Sequence, residues 1–309
     1  MTEEKITVCA DPEYPLSGCL TLPDHITGKV PAVVFVHGSG SSNMDEKIYK
    51  ITPFRDLAHG LASRGIASVR YDKRSFAYGL KLIRAAKGKL TVKEETVADA
   101  VAAAAFLRAD DRIDPDRVFI VGHSMGGMLA PRIDRDGGNF RGLIIMAGST
   151  RRLEEILIDQ LASMKDAAPR LLRGIFDRQI VKYTKLFDGL YQLTDDEAVK
   201  RKFGGGVTLY YFKEMGQMTA ADYLEQCHKP MLIMQGSRDV QVSIERDFNV
   251  CKTLLSDREN VGFRLYDGLN HAFVPALYDS IKDAAKEFKV ERHIGDAVID
   301  DIAYFIHRN

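Results

Sequence analysis

Residues 118–126 read Val118-Phe119-Ile120-Val121-Gly122-His123-Ser124-Met125-Gly126. Val118 to Val121 form a β-favouring apolar run that suits a buried strand, and a helical pattern begins at Met125. The pattern between them, Gly122-His123-Ser124-Met125-Gly126, is G-x-S-x-G. That pattern puts a serine on a sharp strand-to-helix turn, with its hydroxyl raised above the sheet edge. The flanking glycines are needed because side chains would collide in so tight a turn. The following helix presents its positive dipole end to any negative charge that develops there.

The chain on either side supports this reading. Pro31 to His37 is almost continuously apolar, as a strand buried on both faces would be. Phe54, Leu57, Ala58 and Leu61 follow at helical spacing, and Gly65 ends that helix. Ile66–Tyr71, Val118–Val121, Gly142–Ala147, Met231–Gln235 and Val261–Tyr266 are further strands. Helices are predicted over Thr91–Arg108, from Met125, over Ser243–Leu255 and across most of Asp279–His307. Asp114-Pro115-Asp116 is predicted to be a turn. Strands separated by helices imply a mostly parallel sheet with helices on both faces. The segments around Ile6–Cys9 and Gly18–Leu22 have no helix between them and read as an antiparallel hairpin at one edge. From Thr150 to Lys229 no buried strand is evident, and the pattern is charged and amphipathic. The predicted organisation is an α/β core over 1–150 and 230–309, with a helical cap inserted over 151–229.

A serine hydroxyl needs a base. His271 follows the last strand, in Asp267-Gly268-Leu269-Asn270-His271, and is favoured over His228, His293 and His307. The histidine needs a carboxylate to fix its tautomer. Asp239 closes the loop Gln235-Gly236-Ser237-Arg238-Asp239, with Asp247 and Asp267 as rivals. The order Ser124, Asp239, His271 is the Ser…Asp…His order associated with this elbow. An oxyanion needs backbone donors. Met125 N–H is one, and Ser39 N–H, in His37-Gly38-Ser39-Gly40-Ser41-Ser42, is the other. His37 and His123 read as packing and orienting groups. Pro131 falls inside the helix after Ser124 and should break one of its hydrogen bonds. Tyr210, Tyr211, Phe212, Met215 and Met218 either line an acyl pocket or pack the cap. Gly204-Gly205-Gly206 reads as a surface loop, with a lid hinge as the alternative.

Lys plus Arg and Asp plus Glu number 43 each, so no net field favours nucleic acid or an anionic membrane. No uncharged apolar run is long enough to span a bilayer. The start of the chain lacks the apolar run of a secretion signal. Cys9, Cys19, Cys227 and Cys251 form no metal-ligand pattern and read as free thiols of a cytoplasmic protein. Neither metal nor other cofactor is expected. A small-molecule ester is the expected partner, and a homodimer is compatible with the composition.

On H-G-S-G at His37–Gly40, G-H-S-M-G at Gly122–Gly126, Gly236…Asp239 and Asn270-His271, the chain resembles the α/β-hydrolase superfamily. The resemblance covers about residues 20–150 and 230–305. Within the superfamily it is similar to bacterial serine esterases of the acyl-ester and cinnamoyl-ester type, on Leu61–Arg74 (L-A-S-R-G-I-A-S-V-R-Y-D-K-R). It implies an eight-stranded, mostly parallel sheet and cofactor-free two-step acyl transfer. Lys73-Arg74 stands where many members carry a glycine-rich turn. A thioesterase, an amidase or a peptidase would use the same triad. A non-catalytic binding module on the same scaffold is the alternative outside enzymology.

Overall fold

The computed structural model describes residues 1–309. Ten strands are present: β1 (Thr2–Val8), β2 (Leu16–Leu22), β3 (Val30–Val36), β4 (Ala67–Tyr71), β5 (Ile113–His123), β6 (Leu143–Met146), β7 (Lys202–Gly204), β8 (Val207–Thr208), β9 (Met231–Gly236) and β10 (Val261–Tyr266). Eight form one sheet in the order β1-β2-β4-β3-β5-β6-β9-β10. From β4 to β10 every pairing is parallel, while β2 runs antiparallel to both β1 and β4. The expected mostly parallel eight-stranded sheet is therefore present, with its antiparallel hairpin at one edge.

Successive residues of the central strands feed two separate apolar layers, because side chains alternate faces along a strand. Val34, Val36 and Ile120 lie in the larger layer with Leu107, Leu129 and Phe140. Val33, Phe35, Phe119 and Val121 lie in the other with Phe54, Leu61, Ile302 and Ile306. Helices cover both faces: Pro53–Ala62 and Asp296–Arg308 on one, Ala98–Ala109 and Met125–Ile133 on the other.

Three details depart from the sequence reading. Asp114-Pro115-Asp116 does not end a strand but forms a bulge within β5. Val30 pairs with Ile113 and Ala32 with Val118, so the intervening residues loop out, with Asp116 N–H donating to Asp114 Oδ1 at 3.1 Å. Between β6 and β9 the chain is helical, over Leu153–Ala167, Arg173–Phe187, Leu209–Gly216 and Ala220–Gln226, but it also holds the hairpin β7–β8. Gly204, Gly205 and Gly206 all take positive φ at that hairpin, a conformation glycine adopts without strain. Finally, 279–295 is mostly irregular, and the long C-terminal helix begins only at Asp296.

The strand order sets the position of any site. From β3 the chain moves to β4 on one side, then returns to β5 on the other. Loops leaving β3 and β5 diverge at that point and leave a crevice beyond the strand ends. The His37–Ser42 loop follows β3 and Ser124 follows β5.

Candidate active site

Ser124 links β5 to the helix Met125–Ile133 with φ 54° and ψ −118°. A non-glycine residue held there stores about 1–3 kcal/mol of backbone strain. The neighbouring glycines explain how the turn closes. A Cβ on Gly122 would lie 2.3 Å from Gly126 O, and one on Gly126 would lie 2.1 Å from Val36 O. Ser124 N–H donates to Met146 O at 2.8 Å, tying the turn to the end of β6. The hydroxyl makes no capping bond to its own helix. The helix continues through Pro131 and ends at Ile133, two residues after the missing N–H.

His271 and Asp239 are brought together across the ends of β10 and β9. His271 Nδ1 lies 2.7 Å from Asp239 Oδ2, and the Asp239 side chain is fully buried. The two loops are laced by Ser237 N–H to Tyr266 O at 2.8 Å and Arg238 N–H to Leu269 O at 2.9 Å. A Cβ on Gly236 would sit 2.4 Å from Leu269 O, so only glycine allows that approach. Asn270 Oδ1 accepts from Ala272 N–H at 3.0 Å and shapes the turn that carries His271. Asp239 also receives Gln235 Nε2 on Oδ2 at 2.7 Å, and Gln241 N–H and Val242 N–H on Oδ1 at 2.8 and 3.1 Å. The rival carboxylates have other partners. Asp247 binds Arg151 and Ser149, and Asp267 accepts from Ser237 Oγ at 3.1 Å.

His123 connects the two halves of the site. Its ring centre is 4.8 Å from that of His271, and its Nε2 is 2.9 Å from His271 O. That places His271 against the residue preceding Ser124, although the serine hydroxyl is not hydrogen-bonded to the imidazole. On the other side His123 Nδ1 lies 3.0 Å from Glu46 Oε2, an ion-pair contact without straight hydrogen-bond geometry. Burial alone would favour neutral His123, but the Glu46 carboxylate outweighs it and holds its pKa above the usual imidazole value. The effect on Glu46 is reciprocal: burial works to raise it, yet His123 brings it below the usual carboxylate value.

The loop after β3 is held from two directions. A Cβ on Gly38 would be 3.2 Å from Ser124 Cβ, so this loop abuts the serine. Gly38 N–H donates to Glu46 Oε1 at 2.8 Å, and Gly38 O accepts from Lys73 Nζ at 2.9 Å. Ser39 lies exposed at the next position. His37 packs on Phe54 and Tyr71 and pairs its Nε2 with Asn43 O at 2.9 Å. Burial pushes its pKa down to about 4, so the ring is neutral.

A polar cleft of about 460 Å³ reaches Asp239 and is lined by Arg151, Gln160, Ser237, Gln241 and Arg246. Gln160 and Gln241 also line an apolar cavity of about 610 Å³, with Ile48, Met164, Leu172, Phe176 and Phe288. Of the aromatic and methionine residues weighed as pocket lining, Tyr211, Phe212 and Met215 are buried. Phe212 packs on Phe187 and Phe203, an internal role. No group of three or more His, Cys, Asp or Glu side chains is placed to hold a metal ion. No helix is long and apolar enough to cross a membrane.

Residues 33–279 match the alpha/beta hydrolase family. The chain belongs to that family. It is 34% identical to Esterase EstD of Thermotoga maritima over 288 residues, 93% of this chain and 64% of EstD. The chain thus spans just under two-thirds of that relative's length. Among solved structures, proline iminopeptidase of Mycobacterium smegmatis superimposes with a TM-score of 0.61 at 16% identity, covering 99% of this chain and 98% of the other. A Pyrococcus furiosus esterase gives 0.57 at 15% identity, covering 99% and 91%. Est1E from Butyrivibrio proteoclasticus gives 0.56 at 16%, covering 97% and 99%. At such identities these three neighbours report the fold.

Sequence reasoning gave no site role to Glu46, Lys73, Glu95 or Gln235. Lys73 carried one signal, the Lys73-Arg74 pair separated by one residue from the buried strand β4.

Proposed function

We propose that this α/β hydrolase is a serine esterase using Ser124, His271 and Asp239. The observation carrying this is the short His271–Asp239 contact formed beside a strained serine elbow. Asp239 accepts the Nδ1 proton of His271, which leaves Nε2 with a lone pair to act as base. Ser124 Oγ attacks the ester carbonyl while Nε2 takes its proton. The oxyanion is received by the N–H groups of Ser39 and Met125, the latter at the positive end of its helix. His271 then protonates the leaving alcohol, and water repeats the two steps on the acyl-enzyme. Contacts of this kind tighten on substrate binding, so a serine hydroxyl without a hydrogen bond to the imidazole in the free protein is compatible with the scheme.

The relationship to EstD favours an ester over a thioester or an amide. The polar cleft beside Asp239 and the apolar cavity share Gln160 and Gln241 in their walls, which favours a small ester with an apolar acyl or alcohol part. The inserted helices would cap that entrance. The four cysteines are free thiols, in keeping with a reducing compartment such as the cytoplasm.

Two measurements test the proposal. Ser124→Ala should stay folded, lose nearly all turnover of p-nitrophenyl butyrate and fail to react with a fluorophosphonate probe. Retained turnover in that variant refutes the assignment. Initial rates over acetyl to dodecanoyl esters, run beside acyl-CoA and amide substrates, decide the substrate class.

A further inference from the structure

Lys73 follows β4 at the entry to the helix Arg74–Ala86, and its side chain is almost fully buried at 2% exposure. A buried ammonium must be compensated. Nζ donates to Gly38 O at 2.9 Å and lies 3.5 Å from Glu95 Oε1. Glu95 Oε2 in turn accepts from Tyr211 Oη at 2.6 Å, and Tyr211 belongs to the inserted helix Leu209–Gly216. The backbone of Lys73 is tied to the same loop, since Lys73 N–H donates to Ser42 O at 3.0 Å.

The Gly38 carbonyl and the Ser39 N–H belong to one peptide unit. No peptide bond in the chain is cis, so the two groups point in opposite directions. Drawing Gly38 O inward onto Lys73 therefore turns Ser39 N–H the opposite way, away from the buried ammonium; Gly38 itself abuts Ser124. Glu46 fixes the preceding peptide through Gly38 N–H, which removes the remaining freedom of that turn. A cation on the carbonyl oxygen also polarises the amide, making its N–H a stronger donor.

We infer that Lys73 is a positioning residue that sets and polarises the Ser39 amide for the oxyanion, with Glu95 and Tyr211 holding its ammonium in place. This rests on the esterase reading, in which Ser39 N–H is an oxyanion donor. Lys73 touches no reacting atom. Its effect should appear where negative charge has developed on the substrate and not in ground-state binding.

The test uses Lys73→Met and the charge-balanced Lys73→Met/Glu95→Gln, which leaves no lone buried carboxylate. Each is measured for thermal midpoint, for kcat and KM on p-nitrophenyl butyrate, and for inhibition by an aryl trifluoromethyl ketone. Loss of one oxyanion donor lowers kcat by about 10²–10³-fold, so a misoriented donor should cost about 10–100-fold. The expected result is a fall of that size in kcat, an equal loss of ketone affinity and a KM within about threefold of wild type. The double variant should regain thermal stability over Lys73→Met without regaining kcat. A folded double variant with wild-type kcat and ketone affinity overturns the inference and leaves Lys73 a structural cation. So does a rise in KM at constant kcat. The esterase reading fails separately, if Ser124→Ala retains turnover.

Discussion

Replacing Asp239 by asparagine removes one charge and changes almost no volume, and the surrounding donors make the outcome calculable. Both carboxylate oxygens are occupied by donors: Gln241 and Val242 N–H on Oδ1, Gln235 Nε2 and the His271 ring on Oδ2. An amide NH2 cannot face a donor, so either orientation is wrong. Turned toward the two backbone N–H groups, it leaves them without an acceptor, at a cost of about 1–3 kcal/mol per unsatisfied group. Turned toward His271, it forces Nδ1 to become the acceptor and moves the proton to Nε2, the atom that must act as base. The second arrangement also sets the NH2 against Gln235 Nε2, but it costs less, because the ring can change tautomer and the Gln235 amide can turn while the backbone cannot. The expected result is a fall in kcat of about 10⁴-fold, as a reversed tautomer imposes in this kind of triad. That equals about 5 kcal/mol of lost transition-state stabilisation. Loss of charge-assisted bonds should also lower unfolding free energy by about 2 kcal/mol. The assay is kcat/KM on p-nitrophenyl butyrate beside urea unfolding of the same preparation. An asparagine variant within tenfold of wild type refutes the reasoning, since the carboxylate would then neither set the tautomer nor stabilise the imidazolium.

Asp247→Asn separates the rival carboxylate. It breaks contacts to Arg151 and Ser149 and should cost about 2 kcal/mol in urea unfolding, while kcat stays within tenfold of wild type. Gly126→Ala drives a methyl to 2.1 Å from Val36 O and should destabilise the fold by about 3 kcal/mol; an unchanged thermal midpoint contradicts the packing of the elbow. His37 gives a pH dependence. Its folded pKa, about 4, lies below the unfolded imidazole value of about 6.5, so the unfolded chain binds the extra proton between those limits. The folded state is then favoured fully above pH 6.5 and loses about 3 kcal/mol as pH falls toward 4. Relative to wild type, His37→Gln should flatten unfolding free energy between pH 4.5 and 7, and equal slopes for the two proteins would exclude this role.

The fold was legible where apolar runs were uninterrupted. Val33–Val36 and Phe119–Val121 are buried on both faces, and such strands need no alternation to be recognised. Asp114-Pro115-Asp116 misled because turn chemistry is local: the same residues that end a strand also form a bulge inside β5 when its neighbour continues. The hairpin β7–β8 was missed because two- and three-residue strands carry too few side chains to show a period. Within the candidate site, Ser124, Asp239 and His271 could be singled out because each follows a recognisable strand and belongs to a residue type with a chemical reason to be there. Glu46, Glu95 and Lys73 could not. A lysine or a glutamate in one dimension reads as solvated surface and Tyr211 as cap packing or pocket lining, and only the tertiary structure brings Lys73, Glu95 and Tyr211 together beside Gly38.

That buried network is costly, and its location argues for a purpose beyond holding the chain together. Lys73 and Glu95 on one side of Gly38, and Glu46 and His123 on the other, place opposite charges in pairs within a few residues of Ser124. Desolvating such pairs generally stabilises less than apolar side chains of the same volume would. An apolar filling, however, would leave the Gly38 amide and carbonyl free to rotate. Glu46 holds the N–H and Lys73 the C=O of this one residue, so the direction of the next amide is fixed before substrate arrives. Preorganised dipoles of this kind need no reorientation as charge develops, and that is where electrostatic catalysis gains most. The same reasoning ties the inserted helices to the site. Tyr211 bonds Glu95 and lies 3.8 Å from Met125 Sδ, so a shift of its helix would disturb the support of the Ser39 amide and the side chain of Met125, the two proposed oxyanion donors. Tyr211→Phe should accordingly lower kcat by about three- to tenfold while sparing KM, because a hydrogen bond to a charged group is worth at least about 1.5 kcal/mol, slightly more than tenfold if transmitted in full, and the bond acts on the amide only through Glu95 and Lys73. A change confined to KM would mean that the helix acts on substrate entry and not on the amide.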